Sequence, residues 1–251
     1  MRWWAWTVKR VKELLFSSSF TCDCCGKELF DYPAHRLCSA CENGLENNDG
    51  FTCDKCGRKA VTVGVCLTCK RDLPTFTRGV SPFVYSGVAA ALVNRLKNGD
   101  KYLSAFFGER MAEAYLNFVK YTPEEKPLLI VPVPLTEQKR ETRGYNQAEE
   151  LAKEVSVCLE RVGIKTELCQ DAIIKTRESR QQKHLGVTER IENAQGAYRL
   201  HVRKIFPNRR VLLIDDIMTT GATGSVCAKL ILNAHAKEVV FLTAVSAPER
   251  K

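Results

Sequence analysis

The chain has 251 residues, 45% of them hydrophobic, and 38 Lys and Arg against 29 Asp and Glu give a formal charge of +9. That apolar content is enough to bury a core, which excludes wholesale disorder. No apolar run approaches the ~20 residues needed to cross a bilayer, which excludes transmembrane helices, and the basic balance favours an anionic partner such as a nucleotide, a phosphate or a nucleic acid.

The first predicted element is an amphipathic helix over residues 2–16, within an N-terminal segment 1–19. Trp3, Trp4, Thr7, Val8, Val11, Leu14 and Leu15 share one side at 3.6 residues per turn, and Lys9, Lys12 and Glu13 take the other. Such a face either docks on its own protein or presents tryptophans to a partner or a membrane surface. The start lacks a continuous apolar stretch and a small-residue cleavage site, so it is not expected to be a signal peptide, and a cytoplasmic, reducing location is expected.

Residues 20–73 follow as a second segment. Twelve cysteines occur in the chain, and nine of them lie between Cys22 and Cys69. Few large apolar side chains accompany them, so a segment of this size needs a staple. In a reducing compartment, clustered cysteines are metal ligands rather than disulfides. Four Cys-x-x-Cys pairs stand in order: Cys22 and Cys25, Cys38 and Cys41, Cys53 and Cys56, Cys66 and Cys69. Gly26 and Gly57 directly follow two of the pairs, where glycine tolerates the tight turn beside a metal. Four thiolates per ion match a closed, structural zinc site, so two zinc ions are expected, with no open position for catalysis. The spacing suggests sequential ribbons, the first two pairs on one ion and the last two on the other; a cross-braced pairing of first with third is the alternative. Two such sites change the charge by about −4, leaving about +5. Cys24 is surplus, His35 is not needed as a ligand, and Cys158, Cys169 and Cys227 read as core residues.

Residues 80–251 alternate strand and helix patterns. Helices are predicted at about 87–97, 103–120, 145–161 and 222–234. Strands are predicted at 128–135, 165–174, 210–217 and 238–245. That alternation implies an α/β domain with a mainly parallel sheet. Residues 175–182 are polar, charged and expected to be mobile.

The most informative stretch begins with the buried run Val211-Leu212-Leu213-Ile214. It ends in Asp215 and Asp216, and Thr219-Thr220-Gly221-Ala222-Thr223 then opens a helix. Ligands of open α/β sheets bind at the carboxyl ends of strands. Helix N-terminal amides and small hydroxyls suit a phosphate. Adjacent carboxylates suit the two hydroxyls of a ribose, so one loop can hold a ribose 5-phosphate by both ends.

These residues resemble the phosphoribosyl pyrophosphate (PRPP) motif of type I phosphoribosyltransferases. Val131-Pro132-Val133-Pro134, Arg143-Gly144-Tyr145-Asn146-Gln147, Gln182 with Leu185, Arg190 and Asn193 extend the likeness. Together with the four cysteine pairs, they resemble the ComF family over about 20–247. Ser179 and Lys175 are mild departures, standing where threonine and arginine are usual. The resemblance implies a Rossmann-like type I phosphoribosyltransferase domain behind a double zinc ribbon. It further implies that Asp215 and Asp216 take the ribose, that Thr219 to Thr223 wrap the 5-phosphate, and that magnesium accompanies the pyrophosphate. Arg140 and Arg143, after the 128–135 strand, stand where the family places its pyrophosphate loop. Lys175, Arg177, Arg180, Lys183 and Arg190 resemble a flexible lid over the site, or alternatively a flexible nucleic-acid contact.

The expected function is that of a ComF-type factor in DNA uptake during natural transformation, binding PRPP and single-stranded DNA. Lys55, Arg58, Lys59, Lys70 and Arg71 lie in or beside the second ribbon as DNA contacts, and Phe51 is the one stacking candidate. A protein partner of the uptake machinery is expected on the N-terminal helix or the ribbons. Transfer of phosphoribosyl to an unidentified acceptor, or PRPP sensing without catalysis, are the alternatives.

Overall fold

A computed structural model describes residues 20–29, 36–118, 126–177 and 196–249. The expected helix over 2–16, His35, and the lid residues Arg180, Lys183 and Arg190 lie outside the described residues, as do Ser179, Gln182, Leu185 and Asn193. By compactness the chain divides into Met1–Gly44 and Leu45–Lys251. The first cysteine cluster therefore belongs to one unit, and the second shares a unit with the α/β elements.

In the first unit, β1 (Phe20–Thr21) pairs antiparallel with β2 (Glu28–Leu29), and the short helix α1 (Ser39–Asn43) follows. The second unit opens with α2 (Leu67–Arg71), β3 (Arg78–Val80), β4 (Phe83–Val84), α3 (Gly87–Lys97) and α4 (Leu103–Phe118). Then come β5 (Leu128–Pro132), α5 (Glu137–Arg143), α6 (Gln147–Arg161), β6 (Thr166–Leu168) and β7 (Ile173–Lys175). The last elements are β8 (Tyr198–Leu200), β9 (Arg210–Met218), α7 (Ala222–Leu232) and β10 (Glu238–Ser246).

The main sheet runs β3-β10-β9-β5-β6, with β4 also on β10, and every pairing in it is parallel. A parallel sheet is covered on both faces, so its central strands must be apolar throughout. Val211 to Ile214 and Val239 to Leu242 meet that demand, all of them buried. Helix α4 packs on α6 at Gly108, where a Cβ would come within 2.3 Å of the Glu154 Cβ. At the other end of α6, the Asn146 side chain caps the helix by accepting from the Ala148 N–H at 3.1 Å.

Three strands point their carboxyl ends the same way, with β5 stopping four residues short of the other two. Pro132 lies beside Ile214, and Met218 beside Ser246. The Val133 N–H donates to the Ile214 carbonyl at 2.8 Å, which sets the segment after β5 next to Asp215. The fold is thus the α/β architecture with a mainly parallel sheet that the alternating strand and helix patterns implied.

Some details differ. The strand expected over 128–135 stops at Pro132, and the bond from the Val133 N–H to the Ile214 carbonyl follows directly after it. The segment 165–174 is two strands in two sheets: a turn at Gln170 and Asp171 separates β6, on β5, from β7, which pairs antiparallel with β8. β3 and β4 were not predicted; they are too short for a periodicity to register, and β10 recruits them as its outer neighbours. Among the described residues, no helix is long and apolar enough to cross a membrane.

Candidate functional site

Asp215 and Asp216 occupy the last turn of the pleat in β9, and the strand continues only to Met218. Thr219, Thr220 and Gly221 then turn the chain into α7. Gly221 sits at the helix N-cap with φ of 80°, a left-handed conformation that favours glycine. The Ala222 N–H donates to the Thr220 Oγ1 at 3.3 Å, and the Ser225 N–H to the Gly221 carbonyl at 2.8 Å. Gly224 lets α7 settle on the sheet, because a Cβ there would meet the Phe241 ring at 2.6 Å. Glycine spacing therefore serves two ends: Gly221 makes the turn and Gly224 the close packing. The structure brings all the expected ribose-phosphate residues, Asp215, Asp216 and Thr219 through Thr223, into one turn.

The two acids are not equivalent. Burial first, and the adjacent Asp216 carboxylate second, push the Asp215 carboxyl up to about 7. The Asp216 N–H, which donates to the Asp215 Oδ1 at 2.8 Å, and the charges of Lys97 and Lys175 act the other way. Asp216 is ion-paired: the Lys97 Nζ lies 3.3 Å from its Oδ1.

Lys97 was missed by sequence reasoning. It is the final residue of α3, and a lysine in the last turn of a helix is ordinary there. What aims it is Tyr145, whose hydroxyl donates to the Leu96 carbonyl and holds the end of α3 against the α5–α6 junction. Lys175 ends β7 with its Nζ 5.2 Å from the centre of the Tyr198 ring. β7 and β8 flank the segment expected to act as a lid.

Helix α5 follows β5, with Arg140 and Arg143 in its last turn. Arg140 donates from both terminal nitrogens to the buried carboxylate of Glu149, at 2.9 and 3.0 Å. That pairing fixes α5 on α6. Arg143 is partly exposed and makes no ion pair with a described carboxylate.

The cysteines gather as Cys22, Cys25, Cys38 and Cys41, and as Cys53, Cys56, Cys66 and Cys69. Within each group the sulfurs all lie within 4.8 Å of one another. The pairing is therefore sequential, and the cross-braced alternative is excluded. Tetrahedral thiolates at a zinc–sulfur distance of ~2.3 Å stand ~3.8 Å apart. Cys25 and Cys38 sulfurs are 3.7 Å apart, and Cys56 and Cys66 sulfurs 3.8 Å. Both donor sets fit zinc.

The two clusters are built alike. In the first, the Gly26 N–H donates to the Cys22 carbonyl, Gly26 has φ of 73°, and Cys38 caps α1. In the second, the Gly57 N–H donates to the Cys53 carbonyl, Gly57 has φ of 66°, and Cys66 caps α2. Cys24 stands outside both groups. Cys227 is a core residue, whereas Cys158 and Cys169 are only partly buried.

The basic residues of the second cluster divide. Phe51 is 57% exposed, but Arg58 is 2% exposed and turned inward, so it leaves the set of expected DNA contacts. Its Nε donates to the Cys56 Sγ at 3.1 Å and its Nη2 to the Thr219 carbonyl at 2.9 Å. Lys59 pairs with Glu46, and Arg71 with Asp72.

The family model described as "Phosphoribosyl transferase domain" matches residues 124–251, just over half the chain. Competence protein F of Haemophilus influenzae is 28% identical over 176 residues, covering 69% of this chain and 75% of its own length. Competence protein ComFC of Bacillus subtilis is 28% identical over 234 residues, covering 87% and 88%. DNA utilization protein YhgH of Escherichia coli is 27% identical over 178 residues, covering 69% and 74%. With its parallel sheet, its Asp-Asp turn leading through Thr219 to Thr223 and two four-cysteine clusters of zinc geometry, the chain belongs to the phosphoribosyltransferase domain family, in the ComF-type arrangement.

Proposed function

We propose that this protein binds PRPP with magnesium and acts, with single-stranded DNA as its second ligand, as a cytoplasmic ComF-type factor of DNA uptake. The observation that carries the reading is the turn itself: paired carboxylates near the end of β9, then Thr219, Thr220 and the left-handed Gly221 leading into α7, whose first turn carries Thr223. Asp215 and Asp216 accept from the ribose hydroxyls. The loop amides and the Thr219, Thr220 and Thr223 hydroxyls donate to the 5-phosphate. Arg143 faces the pyrophosphate, and Arg140 holds α5 in place through Glu149. Magnesium, when bound with the ligand, screens the pyrophosphate charge. The named relatives support the role in DNA uptake.

Calorimetry with PRPP and Mg²⁺ on the wild type and on Asp216→Asn tests the reading. Asparagine keeps the shape and removes a charged acceptor, which contributes roughly 1.5–3 kcal/mol. Affinity is expected to fall about ten- to a hundredfold with the fold retained. Equal affinity in both proteins would mean that the turn is not a ribose-phosphate site. Release of pyrophosphate on adding nucleobases or DNA would assign an acceptor and make the protein an enzyme rather than a sensor.

For the DNA half, net basicity and the exposed Phe51 support phosphate contacts with stacking. Binding of labelled oligonucleotides is expected to fall steeply with salt and to depend little on sequence. Phe51→Ala is expected to weaken it about tenfold, as one lost stacking contact would. Absence of binding at low ionic strength would leave PRPP as the sole ligand.

A further inference from the structure

We propose that Arg58 is a positioning residue that makes the shape of the phosphate-binding turn depend on the metal held by Cys53, Cys56, Cys66 and Cys69. The inference rests on the PRPP reading and adds to it a linkage between two parts of one compact unit.

The second cysteine cluster is not an appendage on the sheet. Its four cysteines share one core with Phe76, Met218, Val226 and Phe241. The turn at Gly57 lies directly on β3: a Cβ on Gly57 would be 2.0 Å from the Gly79 carbonyl oxygen, and one on Gly79 would be 2.3 Å from that of Cys56. Backbone meets backbone there, and neither side can yield. The Gly79 N–H donates to the Lys55 carbonyl at 2.8 Å. Asn48 Nδ2 joins the same two segments by donating to the carbonyls of Gly57 and Ser81.

From that fixed base Arg58 reaches the opposite way. It bridges the Cys56 sulfur and the carbonyl of Thr219, the first residue after β9. Two consequences follow from elementary chemistry. A guanidinium this deeply buried needs a counter-charge. Four thiolates around a divalent ion carry a net charge of about −2, so the loaded cluster supplies it. Without the ion nothing ties the four sulfurs to a common centre, so the Cys56 Sγ that receives the Arg58 Nε is no longer held in place. The second consequence concerns the peptide plane. In a trans peptide the N–H points opposite to the C=O. Holding the Thr219 carbonyl on the Arg58 side therefore turns the Thr220 N–H to the other side, as a donor for the turn. Metal, thiolate, guanidinium and peptide plane form one chain of contacts, and by linkage the effect is reciprocal: if metal favours PRPP, PRPP favours metal.

Release of zinc to a chromogenic chelator, with and without PRPP and Mg²⁺, tests this on the wild type alone. Of the two ions expected per chain, one is expected to leave about tenfold more slowly when PRPP is present. The ion of the first cluster, in the other compact unit, serves as internal control. Arg58→Gln is expected to retain both ions and its far-ultraviolet circular dichroism. Its PRPP affinity should fall about tenfold, and PRPP should no longer delay zinc release. Arg58→Lys keeps the charge without the two-pronged reach, and should likewise leave zinc release insensitive to PRPP. Identical zinc release with and without bound PRPP in the wild type overturns the proposal, whether or not the variants fold. PRPP affinity lost in Asp216→Asn but unchanged in Arg58→Gln overturns it and leaves the PRPP reading standing. A wild type that binds no PRPP removes both.

Discussion

Stripping the metal with a strong chelator is expected to unfold the first cluster and to destabilise the phosphoribosyltransferase unit as well. Spacing alone suggests a milder outcome, in which a zinc-dependent segment unfolds and the 80–251 domain stands by itself. The structure argues otherwise. Cys53, Cys56, Cys66 and Cys69 are each no more than 5% exposed, and they pack in the core that holds Phe76 and Phe241. Freed of metal, four thiol side chains lose their common ligand inside that core. Structural zinc binds with apparent free energies of roughly 10–16 kcal/mol in small peptides, and this is folding energy. Losing even ~4 kcal/mol of it from a unit of this size lowers Tm by ~8–16 °C. Thermal melts of the metal-loaded and chelated protein, with elemental analysis of both, check the expectation. Two ions per chain and a large downward shift are expected. A main transition unmoved by chelation would show that the second cluster contributes nothing to the sheet, and protein purified without metal would refute the zinc assignment altogether.

Replacing Asp215 with asparagine is expected to stabilise the unliganded protein above pH 7 while weakening PRPP binding ten- to a hundredfold. The Asp215 carboxyl is pushed from the usual 3.8 to about 7, chiefly by burial and next by Asp216. Between those values the folded chain holds a proton that the unfolded chain has released. Folding stability from this group therefore declines as pH rises from about 4 to 7, and the full cost of an ionised, desolvated carboxylate persists above 7. Asparagine carries no such cost, and each kcal/mol recovered raises Tm by ~2–4 °C. The variant and the wild type should converge near pH 4, where both side chains are neutral. Ligand binding has the opposite sign, since the ionised carboxylate is the better acceptor for a ribose hydroxyl. Wild-type affinity should climb from pH 6 to 8 more steeply than that of the variant. Melting curves at pH 5 and 8, beside calorimetry at pH 6 and 8, decide the matter. A variant less stable than the wild type at pH 8 would mean that Asp215 supports the fold rather than the ligand.

Local chemistry made much of this protein legible. The run Val211 to Ile214 reads as a strand buried on both faces, and two acids, then two threonines, a glycine and a third threonine, mark the turn after it. These are short-range facts, written between Val211 and Thr223. The same holds for the cysteine pairs, whose separation is set by the reach of two thiolates to one ion. Long-range partners left no such trace. Sequential zinc pairing needed the sulfur positions, because the three spacers between the pairs are similar in length and permit either connection. Lys97 reads as an ordinary helix-terminal lysine until Tyr145 and the packing of α3 bring it to Asp216. Arg140 and Arg143 look alike in sequence, and only the burial of Glu149 separates a residue that holds helices together from one that makes no ion pair among the described residues. Arg58 is the sharpest instance: among neighbouring basic residues it reads as a surface charge, yet its partner Thr219 lies 161 positions away. Residue type and spacing decide what a side chain is able to bind. Which partner it meets is decided by the closing of the sheet, where packing brings remote segments within bonding distance and burial makes each unpaired charge too costly to leave alone.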